Sequence, residues 1–405
     1  MSSRYDVAVV GGGIFGCSVA KHLAERSEMD ICLIEKEYRL ANHQSGRNSG
    51  TLHPGLALDL EPGTRKAEFA IEGGKRLREY CDEHGLQIYN CGLLLVATNE
   101  AEVRRLGEVE TRVKKLGLPV DRYKDPSLIH ELEPNVEGRE ALFTPASSTV
   151  NTQEITYQLA QEAWGNGVTL RMGYEVKNID RTTDGIRIST DKGTLEADYL
   201  VNAGGVWAPR LARMLDVGAR YHMVPFRGQY YELTSDASDL IKTNVYPTSM
   251  PPRVPNSVGV HFTRRPDGKV IVGPTGMIAV GPDTYGSTDI NLREIARTLS
   301  SGNFWKFVGS TDTMKIAWEE LNKTYRKETF LEHCKHLVPG VRSSDLTESY
   351  VGISHYLVDS RGGIQEESVI EYGPSSVHIL RPKPGLTSSL TIGEHVAESV
   401  LERVR

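Results

Sequence analysis

The sequence predicts an α/β protein of two interleaved domains, one built on a parallel βαβ unit and the other on an antiparallel sheet with helices. Three observations predict it. The first thirty-five residues run apolar stretch, glycine-rich turn, helix-period stretch, apolar stretch. Residues 224–280 alternate apolar and polar side chains between Pro and Gly breakers, the pattern of an antiparallel sheet. Strand and helix signals of the first kind return at 152–202 and again at 377–404. A chain of 405 residues, 39% hydrophobic, has the length and apolar content for two cores. The expected borders are 1–85, 146–218 and 345–405 for the first domain, and 86–145 and 219–344 for the second.

Taken in order, residues 5–10 read as an apolar strand, 14–26 as a helix and 30–35 as a second strand rich in Ile and Leu. Helical spacing follows over 66–84, a strand over 89–98, and a charged amphipathic helix over 100–116. A helix over 152–164 has Asn151 or Thr152 as its cap, Glu154 in its first turn and Gly165 as its stop. Strands are expected at 168–172, 185–190 and 198–202, the last two flanking the turn Asp191-Lys192-Gly193. Residues 290–336 read as helix, 377–380 as strand, and 386–404 as a helix after the Pro384-Gly385 break. Within 290–336 a stripe of Phe304, Trp305, Phe307 and Trp318 with Lys306, Lys315, Lys323, Arg326 and Lys327 nearby suits core packing, and also suits peripheral contact with the inner face of a membrane.

Composition excludes several function classes. The 47 basic and 53 acidic side chains leave a net charge of -6, so no nucleic-acid partner is expected. Five cysteines lie scattered without a C-x-x-C pair, which argues against a disulfide framework, a zinc site or a redox dithiol. No apolar run approaches the ~18 residues of a membrane span. No basic-then-apolar leader precedes the first strand, so a cytoplasmic protein is expected.

Gly11-x-Gly13-x-x-Gly16 sits between strand and helix, and Glu35 ends the next strand nineteen residues after Gly16. Gly11 permits the tight turn, Gly13 lets a pyrophosphate approach the helix N-terminus, and Gly16 lets helix and strand pack closely. Glu35 can accept hydrogen bonds from ribose hydroxyls, which disfavours a 2′-phosphate and hence NADP. The triplet by itself does not separate NAD from FAD.

The segment His43-Gln44-Ser45-Gly46-Arg47-Asn48-Ser49-Gly50, followed by Thr51-Leu52-His53-Pro54-Gly55, resembles the D-amino-acid-oxidase-like FAD enzymes, and within them the L-2-hydroxyglutarate dehydrogenase/oxidase family. The resemblance continues through Pro225-Phe226-Arg227-Gly228-Gln229-Tyr230, Val245-Tyr246-Pro247, Gly259-Val260-His261-Phe262-Thr263, Gly273-Pro274 and Pro384-Gly385-Leu386-Thr387-Ser388-Ser389. It implies that the first domain is a Rossmann-like FAD-binding domain and the second a substrate domain. It also implies the cofactor contacts: Gly11, Gly13, Ile14, Phe15, Gly16, Glu35 and Lys36 on the βαβ unit; Ser45, Asn48, Ser49, Gly50 and Thr51 on the loop; Val176, Ala203, Gly204, Trp207 and Gly352; and Gly385, Leu386 and Thr387. The turn at 384–387 would place free N–H groups and a positive helix end near the flavin pyrimidine. Two departures weaken the substrate assignment. His53-Pro54-Gly55-Leu56 is followed by Ala57-Leu58 where the family carries two tyrosines, and Gly352-Ile353 leads into Ser354-His355-Tyr356 where it carries an arginine.

The activity expected is oxidation of a small anionic 2-hydroxy acid, L-2-hydroxyglutarate in first place, to the 2-oxo acid with hydride passing to flavin N5. His261 is the candidate base, because neutral imidazole is poised near neutral pH, and His53 on the flavin-side loop competes for the role. Arg227 and Arg264 are candidates for carboxylate binding, and Tyr246 for a hydroxyl donor. Oxygen, a quinone or an electron-transfer protein would all serve as electron acceptor. The rival activities are amine or amino-acid oxidation of the glycine or sarcosine type and glycerol 3-phosphate oxidation; a non-catalytic flavoprotein subunit of a membrane complex is the rival class. A disulfide reductase is disfavoured, since there is neither a second glycine fingerprint nor a C-x-x-C.

Overall fold

The opening apolar run forms the strand Ser3–Val10, followed by the helix Ile14–Arg26 and the strand Ile31–Glu35, in a computed structural model that describes residues 3–53, 55–248, 259–279, 281–286, 289, 291–309, 320 and 322–404. The chain divides into two units, one of Met1–Asn48, Thr152–Val224 and His355–Arg405, the other of Ser49–Asn151 and Pro225–Ser354.

The first unit carries an eight-stranded sheet. Ser3–Val10 pairs in parallel with Ile31–Glu35 on one side and Gly193–Asn202 on the other, and Ile31–Glu35 pairs with Thr169–Met172. Every residue of Ile31–Glu35 is buried, as a parallel strand covered on both faces requires. The helix Ile14–Arg26 packs against Thr152–Gly165 and Ser389–Arg403. A Cβ on Gly393 would stand 2.0 Å from Ser18 Oγ, so this glycine sets the closeness of two of those helices. The expected strand at 198–202 begins at Gly193, because the turn before it closes a tight hairpin with Gly185–Thr190. The strand Val176–Thr182, whose only buried residue is Ile179, has too little apolar signal to be read from sequence. Ser376–Arg381 joins the end of Gly193–Asn202 in parallel and carries Val369–Gly373 on its other edge.

The second unit carries a nine-stranded sheet. Its order is Met277–Ile278, His222–Leu233, Val270–Gly273, His261–Arg264, Asn244–Pro247, Leu93–Ala97, Glu140–Thr144 and Asp121–Tyr123, with Leu346–Val358 added to His222–Leu233. The strands from 222–278 pair antiparallel as expected, while Asn244–Pro247 meets Leu93–Ala97 in parallel. Leu94, Val96, Phe262, Val270, Val272 and Phe330 are buried in its main core, each contributing ~1.5–3 kcal/mol by leaving water. The helix Arg65–His84 starts at Thr64, whose hydroxyl accepts from Ala67 N, and stops at Gly85 with φ +63°.

The continuous helix expected over 290–336 is interrupted. Leu292–Leu299 ends before Ser301, whose side chain caps Gly302–Val308, and Lys327–Lys335 starts after Arg326. Phe304 and Phe307 are buried, and Phe307 meets Phe226 edge-on at 6.4 Å between ring centroids, whereas Trp305 is 55% exposed. Lys315 and Trp318 lie outside the described residues. No helix among the described residues is long and apolar enough to cross a membrane.

Candidate active site

The glycine turn shows why its residue types are needed. Gly11 has φ +115°, and a Cβ there would stand 2.4 Å from Ala203 O; a Cβ on Gly16 would stand 1.9 Å from Gly11 O. Gly12 N donates to Glu35 Oε2 at 2.6 Å and Glu37 N donates to Oε1 at 2.9 Å. Burial pushes the Glu35 pKa up, and these two N–H groups pull against it. Each carboxylate oxygen keeps a second lone pair for a ribose hydroxyl. The N-cap of Ile14–Arg26 is Gly13, which has no side chain to close the helix end.

Ser45 reaches that same helix end, its Oγ accepting from Ile14 N at 3.0 Å. Asn48 braces the loop by donating to Gln44 O at 3.0 Å and Ser45 O at 2.8 Å, while accepting from Thr152 Oγ1 at 2.9 Å. Lys36 lies 4.1 Å from the Trp207 ring, and His43 meets the same ring edge-on at 4.6 Å while its Nε2 contacts Glu37 Oε1 at 2.9 Å. Glu37 carried no sequence signal of its own, and His43 stood only as the first residue of the family-like loop; the fold sets His43 against both Glu37 and Trp207. Ala203 N donates to Val10 O and Gly204 N to Asn202 Oδ1. Phe15 lies in the helix that opens there, and Val176 packs on the sheet core at its edge strand. The turn Gly385–Ser388, with Leu386 and the buried Thr387, leads into Ser389–Arg403. A glycine-lined turn, an open helix end and an acid with lone pairs to spare fit the nucleotide portion of a dinucleotide.

In the second unit, Gly50 has φ +75° and a Cβ there would meet Val150 O at 2.3 Å; Ser49 Oγ accepts from Thr51 N at 3.4 Å. Three of the candidate catalytic residues come together beyond this point. Tyr246 is fully buried, stacks on His261 with centroids 3.9 Å apart at 29°, and meets His53 edge-on at 5.7 Å. Its hydroxyl donates to Thr51 Oγ1 at 3.5 Å, and burial pushes its pKa up to about 12. His261 Nδ1 lies 2.9 Å from Gly259 O. A carbonyl only accepts, so Nδ1 carries the proton and Nε2 holds the lone pair. Burial pushes the His261 pKa down to about 4.

Arg227 is 6% exposed; its Nε donates to Tyr285 O at 3.0 Å, and its buried Nη1 has no partner among the described residues. A buried guanidinium without a carboxylate is costly and suits an incoming anion. Arg264 is engaged elsewhere: its Nη1 donates to Ser238 O at 2.9 Å and Ile241 O at 2.7 Å, tying down the turn after a short helix. Gly352 lies on Leu346–Val358. At the altered positions, Ala57 and Leu58 pack on apolar clusters. His355 donates from Nε2 to Leu380 O at 2.8 Å, and the buried Arg381 guanidinium donates to His355 O while lying 4.5 Å from the Tyr356 ring. Arg381 is a buried cation that the sequence reading passed over, since an arginine next to Pro382 at the end of a strand carries no distinguishing pattern.

The sequence model of the FAD dependent oxidoreductase family, DAO, matches residues 6–399. L-2-hydroxyglutarate dehydrogenase of Indibacter alkaliphilus is 31% identical over 406 residues, covering 98% of this chain and 99% of that protein. The mitochondrial L-2-hydroxyglutarate dehydrogenase of Nematostella vectensis is 32% identical, covering 99% and 91%. Among solved structures, FAD-bound L-alpha-glycerophosphate oxidase from Mycoplasma pneumoniae superposes with a TM-score of 0.77 at 21% identity, covering 99% of this chain and 95% of that one. Glycine oxidase from Geobacillus kaustophilus gives 0.73 at 20%, covering 99% and 96%. The last two likenesses establish the fold alone. The chain belongs to the L-2-hydroxyglutarate dehydrogenase family of FAD-dependent oxidoreductases, and its cofactor is FAD.

Proposed function

We propose that the chain oxidises a small 2-hydroxy acid, L-2-hydroxyglutarate in first place, to the corresponding 2-oxo acid. The observation that carries this is the His261 site: a buried imidazole, its tautomer fixed by Gly259 O, stacked on Tyr246 in the same unit as the Arg227 guanidinium, whose Nη1 has no partner among the described residues. FAD, when bound, supplies the acceptor for the two electrons and the C2 hydrogen. The substrate hydroxyl gives its proton to His261 Nε2. Burial makes the imidazolium costly, and a carboxylate of the bound acid beside it offsets that cost. Arg227 holds a carboxylate through Nη1, and the Tyr246 hydroxyl orients the acid. His53, edge-on to the Tyr246 ring, helps to set the phenol's position. The L-2-hydroxyglutarate dehydrogenase relatives, similar along nearly the whole chain, support the substrate class.

His261→Ala and His53→Ala, each loaded with FAD, separate the two histidines by the rate of anaerobic flavin reduction. Loss of 10²-fold or more is expected for His261→Ala, within the usual range for a general base. A His261→Ala rate within tenfold of the parent would exclude His261 as the base. An electron acceptor then re-oxidises the enzyme; oxygen, a quinone and an electron-transfer protein are each assayed by the turnover they restore.

A further inference from the structure

The second unit's sheet sets five residues across its strands in one row. Val245 pairs with Phe262, which places Tyr246 opposite His261; His261 pairs with Gly273; and Tyr231 pairs with Val272, which places Tyr230 opposite Gly273. Tyr350, on the strand beyond, stacks on Tyr230 with centroids 4.8 Å apart at 23°. Residues opposite one another on neighbouring strands share a face, so this row reads Tyr246, His261, Gly273, Tyr230, Tyr350.

The glycine is the one member without a side chain, and its φ of +140° is in the region that favours glycine. His261 and Tyr230 flank it, about 10 Å apart along the row at two strand spacings. A Cβ on Gly273 would stand 2.9 Å from Gln229 O and 3.2 Å from Tyr230 Cδ1, so only glycine lets the Tyr230 ring lie this close to the middle of the row. The 55–60 loop offers no hydroxyl here, because Leu56 and Leu60 are buried and Ala57 and Leu58 pack on apolar clusters.

We propose that Tyr230 is a substrate-contacting residue of the His261 site, its hydroxyl donating to an anionic oxygen of the bound acid, with Tyr350 as the positioning residue that holds its ring. Burial pushes the pKa of Tyr230 and of Tyr350 up, so both phenols stay protonated and able to donate. This inference rests on the hydroxy-acid reading above.

The test is Tyr230→Phe, which keeps the stacked ring and removes only the hydroxyl. FAD-loaded protein is titrated with 2-oxoglutarate, a non-reducing product-class ligand, by flavin absorbance and by calorimetry, and KM and kcat are measured with L-2-hydroxyglutarate. Tyr230→Phe is expected to raise Kd and KM about tenfold or more, the size of one hydrogen bond to a charged group, with FAD content and melting temperature unchanged. Tyr350→Leu should raise both in the same direction, and Tyr350→Phe should restore them. Tyr230→Phe binding within twofold of the parent overturns the inference and leaves the hydroxy-acid reading standing. A parent protein that neither binds 2-oxoglutarate nor is reduced by any 2-hydroxy acid overturns that reading, and this inference with it.

Discussion

A buried histidine held in one tautomer behaves unlike a free one. Burial lowers the His261 pKa to about 4, so Nε2 stays unprotonated through the physiological range. The acid limb of kcat/KM is therefore expected near pH 4 and not near the ordinary 6.5; a limb at 6 to 7 assigns the base elsewhere. Arg227→Met removes the guanidinium whose Nη1 lacks a partner among the described residues, and is expected to raise KM by about 30-fold or more, as loss of a buried charge pair does. Arg264→Met should leave KM within about threefold and lower stability instead, because its donors are committed to Ser238 and Ile241 carbonyls. From the sequence His261, His53, Tyr246 and Arg227 were visible as residue types in recognisable surroundings. What was not visible is the stacking of Tyr246 on His261 and the engagement of Arg264, since both depend on which strands become neighbours.

The elements differ in how plainly their sequences announce them. The opening βαβ unit is legible because two glycines of its fingerprint answer to backbone contacts, Gly11 against Ala203 O and Gly16 against Gly11 O, while Gly13 faces Ser45 Oγ. Gly11→Ala forces a Cβ to 2.4 Å from that carbonyl in a strained backbone conformation, so the variant is expected to purify without the flavin absorbance of the parent. Full FAD occupancy in that variant would contradict the assigned turn. The antiparallel sheet was legible from alternation, but its parallel junction between Asn244–Pro247 and Leu93–Ala97 was not, because residues so far apart in sequence leave no local pattern. Leu346–Val358 escaped for another reason: its first half, Leu-Thr-Glu-Ser-Tyr, is largely exposed and polar, so periodicity had little to register. The break at Ser301 goes with a side-chain cap, whereas at Arg326 the backbone turns extended without one, and a helix-period scan passes over both.

At the scale of the molecule, buried neutral histidines couple folding to pH. His22, His261, His355 and His378 have pKa values pushed down by burial to about 4, 4, 3 and 4 from an ordinary 6.5. Below 6.5 the unfolded chain takes up protons that the folded chain refuses, so stability is full above that pH and falls as pH drops toward 4. Urea midpoints should be flat between pH 7 and 8 and decline through pH 6 to 4.5; an unchanged midpoint at pH 5 would mean that these imidazoles are not buried as neutral groups. The proposed reaction couples reduction of FAD to proton transfer from a 2-hydroxy acid to His261. Its most direct test is anaerobic: FAD-loaded protein mixed with L-2-hydroxyglutarate, other 2-hydroxy acids, glycerol 3-phosphate, glycine and sarcosine in turn, with flavin absorbance followed in each case. The expected result is bleaching by L-2-hydroxyglutarate with appearance of the 2-oxo acid, while bleaching by glycine, sarcosine or glycerol 3-phosphate and not by any 2-hydroxy acid would contradict it.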